Sequence, residues 1–298
     1  MTKTIAITGS NSGIGKSAAL QLAKDGHEII MICRNAERGQ AARDEIRSEA
    51  SSDNVHLYLA DLASFDQIQT TAESILEDFP KIDILMNNAG LILLDKKFSE
   101  QGIEKTIAIN HFGHYLLTDL LLPSLQKSNQ PRIINTSSAA HRGATLDFDD
   151  LNYEHRSYSS FGAYGRSKLA NILFTHKLAE LYETDNLCSY SIHPGFVGSN
   201  FAKNNGMFAK IGMTILRPFA KSPKSGAQPL IYLAETDGIE DLSGEYFVDT
   251  SRIPFTGPKI QPKDTSSISY KKELEDKLWI RSKEEITKWN EDYVFNLK

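Results

Sequence analysis

Short apolar runs alternate along the chain with longer stretches in which apolar residues return every three or four positions. Thr4 to Thr8 is too short and too β-branched for a helix and meets a Gly/Ser/Asn cluster at once, which predicts a strand ending in a turn. From Ile14 onward, Ile14, Ala18 and Leu22 fall four apart while Lys16, Gln21 and Lys24 lie off that line, so a helix with one apolar stripe follows and Gly26 closes it. The rhythm repeats. Strands are expected at Glu28 to Cys33, Val55 to Leu59, Ile82 to Met86, Arg132 to Thr136, Leu187 to Ile192 and within 243–249. Helices are expected at Ala36 to Ala50, from Ser64, over roughly Ser99 to Leu125 and over Phe161 to Tyr182. Ser64 with Gln67 has the spacing of a capping box. Such regular alternation implies right-handed crossovers, and hence an α/β fold whose doubly wound parallel sheet of about seven strands is covered on both faces.

No repeat, low-complexity tract or linker divides the chain, so residues 1–298 read as a single domain. Two segments break the rhythm: 139–160, rich in Asp, Tyr and His, and 193–221, which contains MFAKIGMTILRPFA. In an open parallel sheet both would project beyond the carboxyl ends of the strands, where ligands bind. Phe208, Ile211, Met213, Ile215 and Leu216 suit the second segment to a mobile substrate lid, and equally to a packed surface helix or an oligomer contact. The extension over 251–298 begins with Pro254, Gly257, Pro258 and Pro262 and continues as helices, with Ser282 and Glu285 spaced as a second capping box. Its apolar positions Ile268, Leu274, Leu278 and Trp279 share one face, which predicts packing on the core or along the substrate cleft. The helices over 99–125 and 161–182 are long enough to pair between subunits in a homo-oligomer or simply to cover the sheet.

Composition narrows the class. Hydrophobic content of 40% with 24% charged residues is ordinary for a soluble globular chain. The net charge of −5 comes without a basic block or stripe, which argues against nucleic acid as a partner. Cys33 and Cys188 both fall in predicted strands without a CxxC spacing, so they read as small core residues in a reducing compartment. No window reaches about 18 uninterrupted apolar residues, so no transmembrane segment is expected, and a strand that starts by residue 4 leaves no room for a signal peptide. The expected location is the cytoplasm.

Candidate chemistry begins in the first turn. Gly9, Gly13 and Gly15, with Asn11, Ser12 and Ile14 between them, let phosphates lie against bare backbone, and the helix that follows offers unpaired N–H groups and a partial positive charge. This is the turn of a Rossmann-type dinucleotide site, although three glycines can also serve only to tighten a turn. In such sites a carboxylate about 20 residues on bonds the adenosine ribose, whereas an arginine accommodates a phosphate. Arg34 follows the second strand with no acid before Glu37, and Lys16 or Asn11 can assist, so NADP(H) is favoured over NAD. A second cluster joins Asn110, Ser138, Tyr164 and Lys168. Tyr164 and Lys168 stand four apart, on one face of a helix, with Cβ atoms about 5 to 6 Å apart. An ordinary phenol titrates near pH ~10, so delivering its proton near neutrality takes a shift of about three units, or roughly 4 kcal/mol. A lysine and an oxidised nicotinamide can supply that shift in a dry cleft. The histidines His111, His114, His141 and His193 lack a metal-ligand spacing beyond one i, i+3 pair, so no metal is expected.

These motifs resemble the short-chain dehydrogenase/reductase family: TGSNSGIG at 8–15, NNAG at 87–90, Asn110, Ser138, YGRSK at 164–168 and HPG at 193–195 occur in the family's order over about residues 3–250. INHFGHYLLTDLLLP, INTSSAAHRG, YGRSKLANILFTHKLA and KLWIRS resemble its retinol dehydrogenase-like subgroup, which generally prefers NADP and acts on lipophilic aldehydes, ketones or their alcohols. The resemblance implies that Tyr164 is general acid in reduction and base in oxidation, that Lys168 lowers its pKa and holds the nicotinamide ribose, and that Ser138, in preference to Ser137, bonds the substrate carbonyl. It implies that Asn110 positions a relay water. It further places Asn88, Ala89 and Gly90 beside the adenosine side, Asp61 with Leu62 at the adenine, and Pro194, Gly195, Val197 and Ser199 along the nicotinamide. The implied reaction is hydride transfer between NADP(H) and a small apolar carbonyl or alcohol. A sugar-nucleotide epimerase shares the fold and the tyrosine and lysine pair, but the tail holds no obvious sugar-binding domain. The alternative from another class is an NADP(H)-binding sensor or regulatory protein without turnover.

Overall fold

A computed structural model describes residues 1–195, 221–251 and 257–298 of the chain. Seven strands, β1 (Thr4–Thr8), β2 (Glu28–Cys33), β3 (Val55–Leu59), β4 (Ile84–Asn87), β5 (Arg132–Thr136), β6 (Cys188–His193) and β7 (Tyr246–Asp249), lie parallel in the order β3-β2-β1-β4-β5-β6-β7. An eighth, β8 (Ile260–Pro262), pairs antiparallel with β7, Val248 opposite Gln261. It comes from the extension, where only helices are expected from sequence. Three residues ending in a proline carry no readable period, and an edge position tolerates the missing N–H.

The chain moves outward from β1 to β3, then returns to place β4 on the other side of β1. That reversal opens a crevice at the carboxyl ends of β1 and β4. The helices α1 (Gly13–Lys24) and α2 (Ala36–Ala50), with the helix Gln228–Glu235, enclose one core cluster against the sheet. The helices α3 (Phe65–Asp78), α5 (Gly113–Leu125) and α6 (Ser160–Leu181) enclose the other. Ile5, Ala6 and Ile7 are wholly buried, as a strand covered on both faces requires. Cys33 and Cys188 are buried free thiols in β2 and β6.

Several boundaries differ from expectation. The helix expected from about Ser99 begins at α4 (Lys105–Ile107), because Gly102 takes φ +74° in a turn and the Glu104 carboxylate caps the N–H groups of Thr106 and Ile107. A π-turn, Ala108–Phe112, then joins α4 to α5. Ser64 does precede α3, but no capping box forms: its hydroxyl donates to Glu100 at 2.6 Å, and Gln67 accepts the N–H of Asp61. Ser282 and Glu285 mark no helix start. Both sit inside one C-terminal helix, Lys272–Trp289, where Ser282 bonds back to the Leu278 carbonyl at 2.8 Å and Glu285 pairs with Arg281 and Lys288.

The extension docks on the core as its apolar stripe predicts. Leu278, Trp279 and Ile286 are buried, each contributing roughly 2 kcal/mol of transfer free energy, and Ile268 and Leu274 pack beside them. The Trp279 ring lies 5.2 Å from that of Tyr115 and 6.0 Å from that of Phe174. The last residues are latched by Asp119 of α5, whose carboxylate accepts the Tyr293 hydroxyl and the N–H groups of Asn296 and Leu297. The chain's own C-terminus therefore lies over α5 and α6. No described helix is long and apolar enough to cross a membrane.

Candidate active site

The cofactor side of the crevice is built on Thr8, the last residue of β1. Its hydroxyl accepts the main-chain N–H groups of Asn88 and Ala89, both at 2.9 Å, and its carbonyl accepts Asn88 Nδ2 at 2.9 Å. Asn88, Ala89 and Gly90 are thereby drawn against the glycine turn. Gly9 and Gly13 hold φ of +69° and +58°, and a Cβ on Gly15 would lie 2.5 Å from Asn88 Nδ2 and 2.7 Å from the Gly9 carbonyl oxygen. Ser12 is the N-cap of α1 but makes no side-chain cap, and the first turn carries no acid. Uncapped N–H groups beside bare glycine backbone fit a dinucleotide's phosphates.

Arg34 leaves β2 exposed and reaches Asp61 at 4.0 Å. Leu62, next to Asp61, is buried in the core. Lys16 is paired with Glu45 at 2.5 Å. Pro194 and Gly195 follow β6, Gly195 with φ +82° against Lys221. Val197, Ser199 and the apolar residues Phe208 to Leu216 lie outside the described residues, as does Pro254.

The four candidate catalytic residues meet at the carboxyl ends of β4 and β5. Ser138 lies two residues past β5, with its hydroxyl beside the Tyr164 phenol. Ser137 faces away and donates to the Lys168 carbonyl at 2.7 Å, which separates the two adjacent hydroxyls. One turn of α6 past Tyr164, the Lys168 ammonium stands 5.6 Å from the phenol ring centroid and donates to the Thr136 carbonyl at 2.9 Å. A Cβ on Gly90 would fall 3.2 Å from Lys168 Nζ and 3.3 Å from Asn110 Oδ1, so Gly90 is the gap across which those two side chains face each other.

Asn110 sits within the π-turn, wholly buried. Its amide bonds Leu91 in both directions, each at 2.9 Å, and donates to Ser167 at 2.9 Å. Its carbonyl accepts His114 Nδ1 at 3.1 Å. A carbonyl only accepts, so Nδ1 carries the proton and Nε2 takes the Thr8 hydroxyl at 2.9 Å. Sequence reasoning missed the roles of Thr8, Thr136 and His114, since a hydroxyl that gathers main-chain N–H groups, a main-chain acceptor and a histidine two contacts from the site leave no spacing signal. His111, three residues before His114, turns the other way and reaches Ser282 at 2.9 Å.

The electrostatics depart from expectation. The spacing of Tyr164 and Lys168 suggests an acidified phenol, yet within the polypeptide alone burial pushes Tyr164 up to about 12, with the Ser138 hydrogen bond opposing. Burial likewise brings Lys168 down to about 7. Desolvation disfavours both charged forms, phenolate and ammonium, and at this separation outweighs their mutual attraction.

An open parallel sheet with a glycine turn at its switch point, facing a tyrosine and lysine on one helix, defines a dinucleotide-binding oxidoreductase. The sequence model of the short chain dehydrogenase family matches residues 3–208. Human retinol dehydrogenase 13 is 41% identical over 250 residues, 82% of this chain and 76% of that protein. Mouse retinol dehydrogenase 12 is 38% identical over 251 residues, 84% of this chain and 79% of that protein. Among solved structures, an uncharacterized protein from Mycobacterium paratuberculosis matches with a TM-score of 0.76 at 29% identity, over 95% of this chain and 92% of its own. The chain belongs to the short-chain dehydrogenase/reductase family, in its retinol dehydrogenase-like subgroup.

Proposed function

We propose that the protein is an NADP(H)-dependent reductase or dehydrogenase that interconverts an apolar aldehyde or ketone and its alcohol. The observation that carries this reading is the Ser138 hydroxyl beside the Tyr164 phenol, with the buried Lys168 one helical turn away, 5.6 Å from the phenol ring. A bound NADP(H) would supply the hydride and, in its oxidised form, a positive charge that favours the phenolate. Tyr164 and Ser138 then act as a preorganised donor pair for a carbonyl oxygen on which negative charge develops. In reduction Tyr164 gives up its proton, and in oxidation the phenolate takes one from the alcohol. Lys168 is held by Thr136 and lies beside Gly90, where it can orient a ribose hydroxyl. Asn110, with its amide bonded to Leu91 and Ser167, fixes the loop after β4 against α6.

The preference for NADP(H) rests on exposed Arg34 at the end of β2, placed for a phosphate on the adenosine ribose. An apolar substrate is supported by identity of about two-fifths to proteins named retinol dehydrogenases. The test is consumption of NADPH with medium-chain aldehydes, aromatic ketones and retinal. The proposal expects turnover of at least one class; binding that quenches NADPH fluorescence with no consumption across the panel would assign the chain to the sensors.

A further inference from the structure

The turn that carries Ser138 is held from a direction the reaction does not require. Ser138 is the N-cap of the 3₁₀ turn Ala139–Gly143, and its carbonyl accepts both the main-chain N–H of His141, at 3.1 Å, and His141 Nδ1, at 2.7 Å. Because that carbonyl can only accept, the ring proton is on Nδ1 and Nε2 holds a lone pair. That lone pair receives the main-chain N–H of Ser266 at 3.2 Å. The ring is wholly buried, edge-on to Tyr246 at 5.2 Å, and the other neutral tautomer would break both bonds.

Ser266 belongs to the extension, in the stretch between β8 and the C-terminal helix. The same stretch grips the helix that bears Tyr164 and Lys168. The Ser269 carbonyl accepts His176 Nδ1 of α6 at 3.0 Å, and the Tyr270 ring stacks on His176 at 5.6 Å. It is braced internally, with the Ser269 hydroxyl donating to the Ser266 carbonyl at 2.6 Å. The Ser138 turn itself presses on α6, since a Cβ on Gly165 would come within 2.9 Å of the Ala140 carbonyl oxygen. One short stretch thus touches both walls whose spacing sets the distance from Ser138 to Tyr164.

We propose that Thr265–Tyr270 is a positioning element of the active site, in which the Ser266 main-chain N–H fixes His141 and His141 fixes Ser138 against Tyr164. The effect on turnover rests on the donor-pair reading given above, whereas the structural tie stands without it. His141 is a positioning residue, since it acts on the reacting atoms through Ser138.

The test removes one hydrogen. Ser266 has φ −73° and ψ 147°, which a proline ring accommodates, so Ser266→Pro deletes the N–H while keeping the local backbone. Ser266→Ala keeps the N–H and reports the effect of altering the side chain alone. The full-length protein is assayed for kcat and KM on an accepted carbonyl, for NADPH affinity by fluorescence, and for amide hydrogen exchange over 138–143. Ser266→Pro should lower kcat at least about fivefold below Ser266→Ala with NADPH affinity within about twofold, and should speed exchange at His141. If Ser266→Pro does not fold, His141 replacements read the same tie: His141→Asn retains an N–H near the position of Nδ1 and should recover part of the kcat lost in His141→Leu. Equal kcat in the two Ser266 variants with unchanged exchange overturns the proposal, as does a His141→Asn no better than His141→Leu. Were the wild type to turn over no carbonyl, the donor-pair reading would fail, and faster or unchanged exchange in Ser266→Pro would still decide for or against the tie.

Discussion

Gly15 has no room for a single added carbon: its nearest neighbours would be the Asn88 amide and the Gly9 main chain, neither a loose side-chain end. Gly15→Ala should therefore weaken NADPH binding by at least about tenfold in a fluorescence titration, and unaltered affinity would move the phosphate site away from this turn. Arg34, exposed just past β2, is the proposed reader of the cofactor's phosphate. Replacing its fork of donors by a carboxylate should shift the ratio of kcat/KM for NADPH over NADH by about 100-fold towards NADH. If Arg34→Asp still prefers NADPH, another residue reads the phosphate. These two could be named as candidates from the sequence because glycine and arginine leave positional marks after a strand. Ser138, Tyr164, Lys168 and Asn110 were legible through their motifs, and the structure gathers all four about Gly90 and Thr136. Thr8, His114 and His141 were not, since each acts through a main-chain partner that sequence cannot supply.

At the scale of elements, the strands and most helices could be read directly from periodicity, with errors where local chemistry overrides it. The π-turn Ala108–Phe112 is one such place: a five-residue change of hydrogen-bond pattern inside an unbroken apolar run alters no period, yet it buries Asn110 beside Gly90. Another is the Ser282 and Glu285 pair, whose spacing fits a cap but whose helix had begun ten residues earlier at Lys272. The α6 element has a consequence for pH. It holds the phenol where burial keeps it protonated, pushed up to about 12 in the polypeptide alone, so the proton donor is available across the neutral range. Alcohol oxidation, which needs the phenolate, should accelerate as pH rises, while carbonyl reduction stays level and then declines as the donor is lost. Profiles of kcat in both directions check this, and an oxidation rate independent of pH would show that the phenol is not the base.

For the molecule as a whole, the extension is part of the folded body. It contributes an edge strand, covers α5 and α6, and sends Ser282 to His111 in the π-turn. His111 and His114 are both pushed down to about 3 by burial, so between pH 6.5 and about 3 the unfolded chain takes up protons that the folded chain refuses. Their contribution is intact above pH 6.5 and is lost as the pH falls, at about 1.4 kcal/mol per pH unit for each. Urea unfolding should accordingly show stability dropping on the order of 4 kcal/mol between about pH 7 and pH 5, and a level profile would mean that both rings accept protons in place. The account as a whole asks for chemistry at Tyr164. NADPH deuterated at the transferable position of the nicotinamide, incubated with an accepted carbonyl, should deliver the label to the carbinol carbon of the product. Tyr164→Phe should bind the cofactor as tightly and lose that transfer by several orders of magnitude. Label transfer at the wild-type rate in that variant, or none from the wild type to any carbonyl, would contradict it.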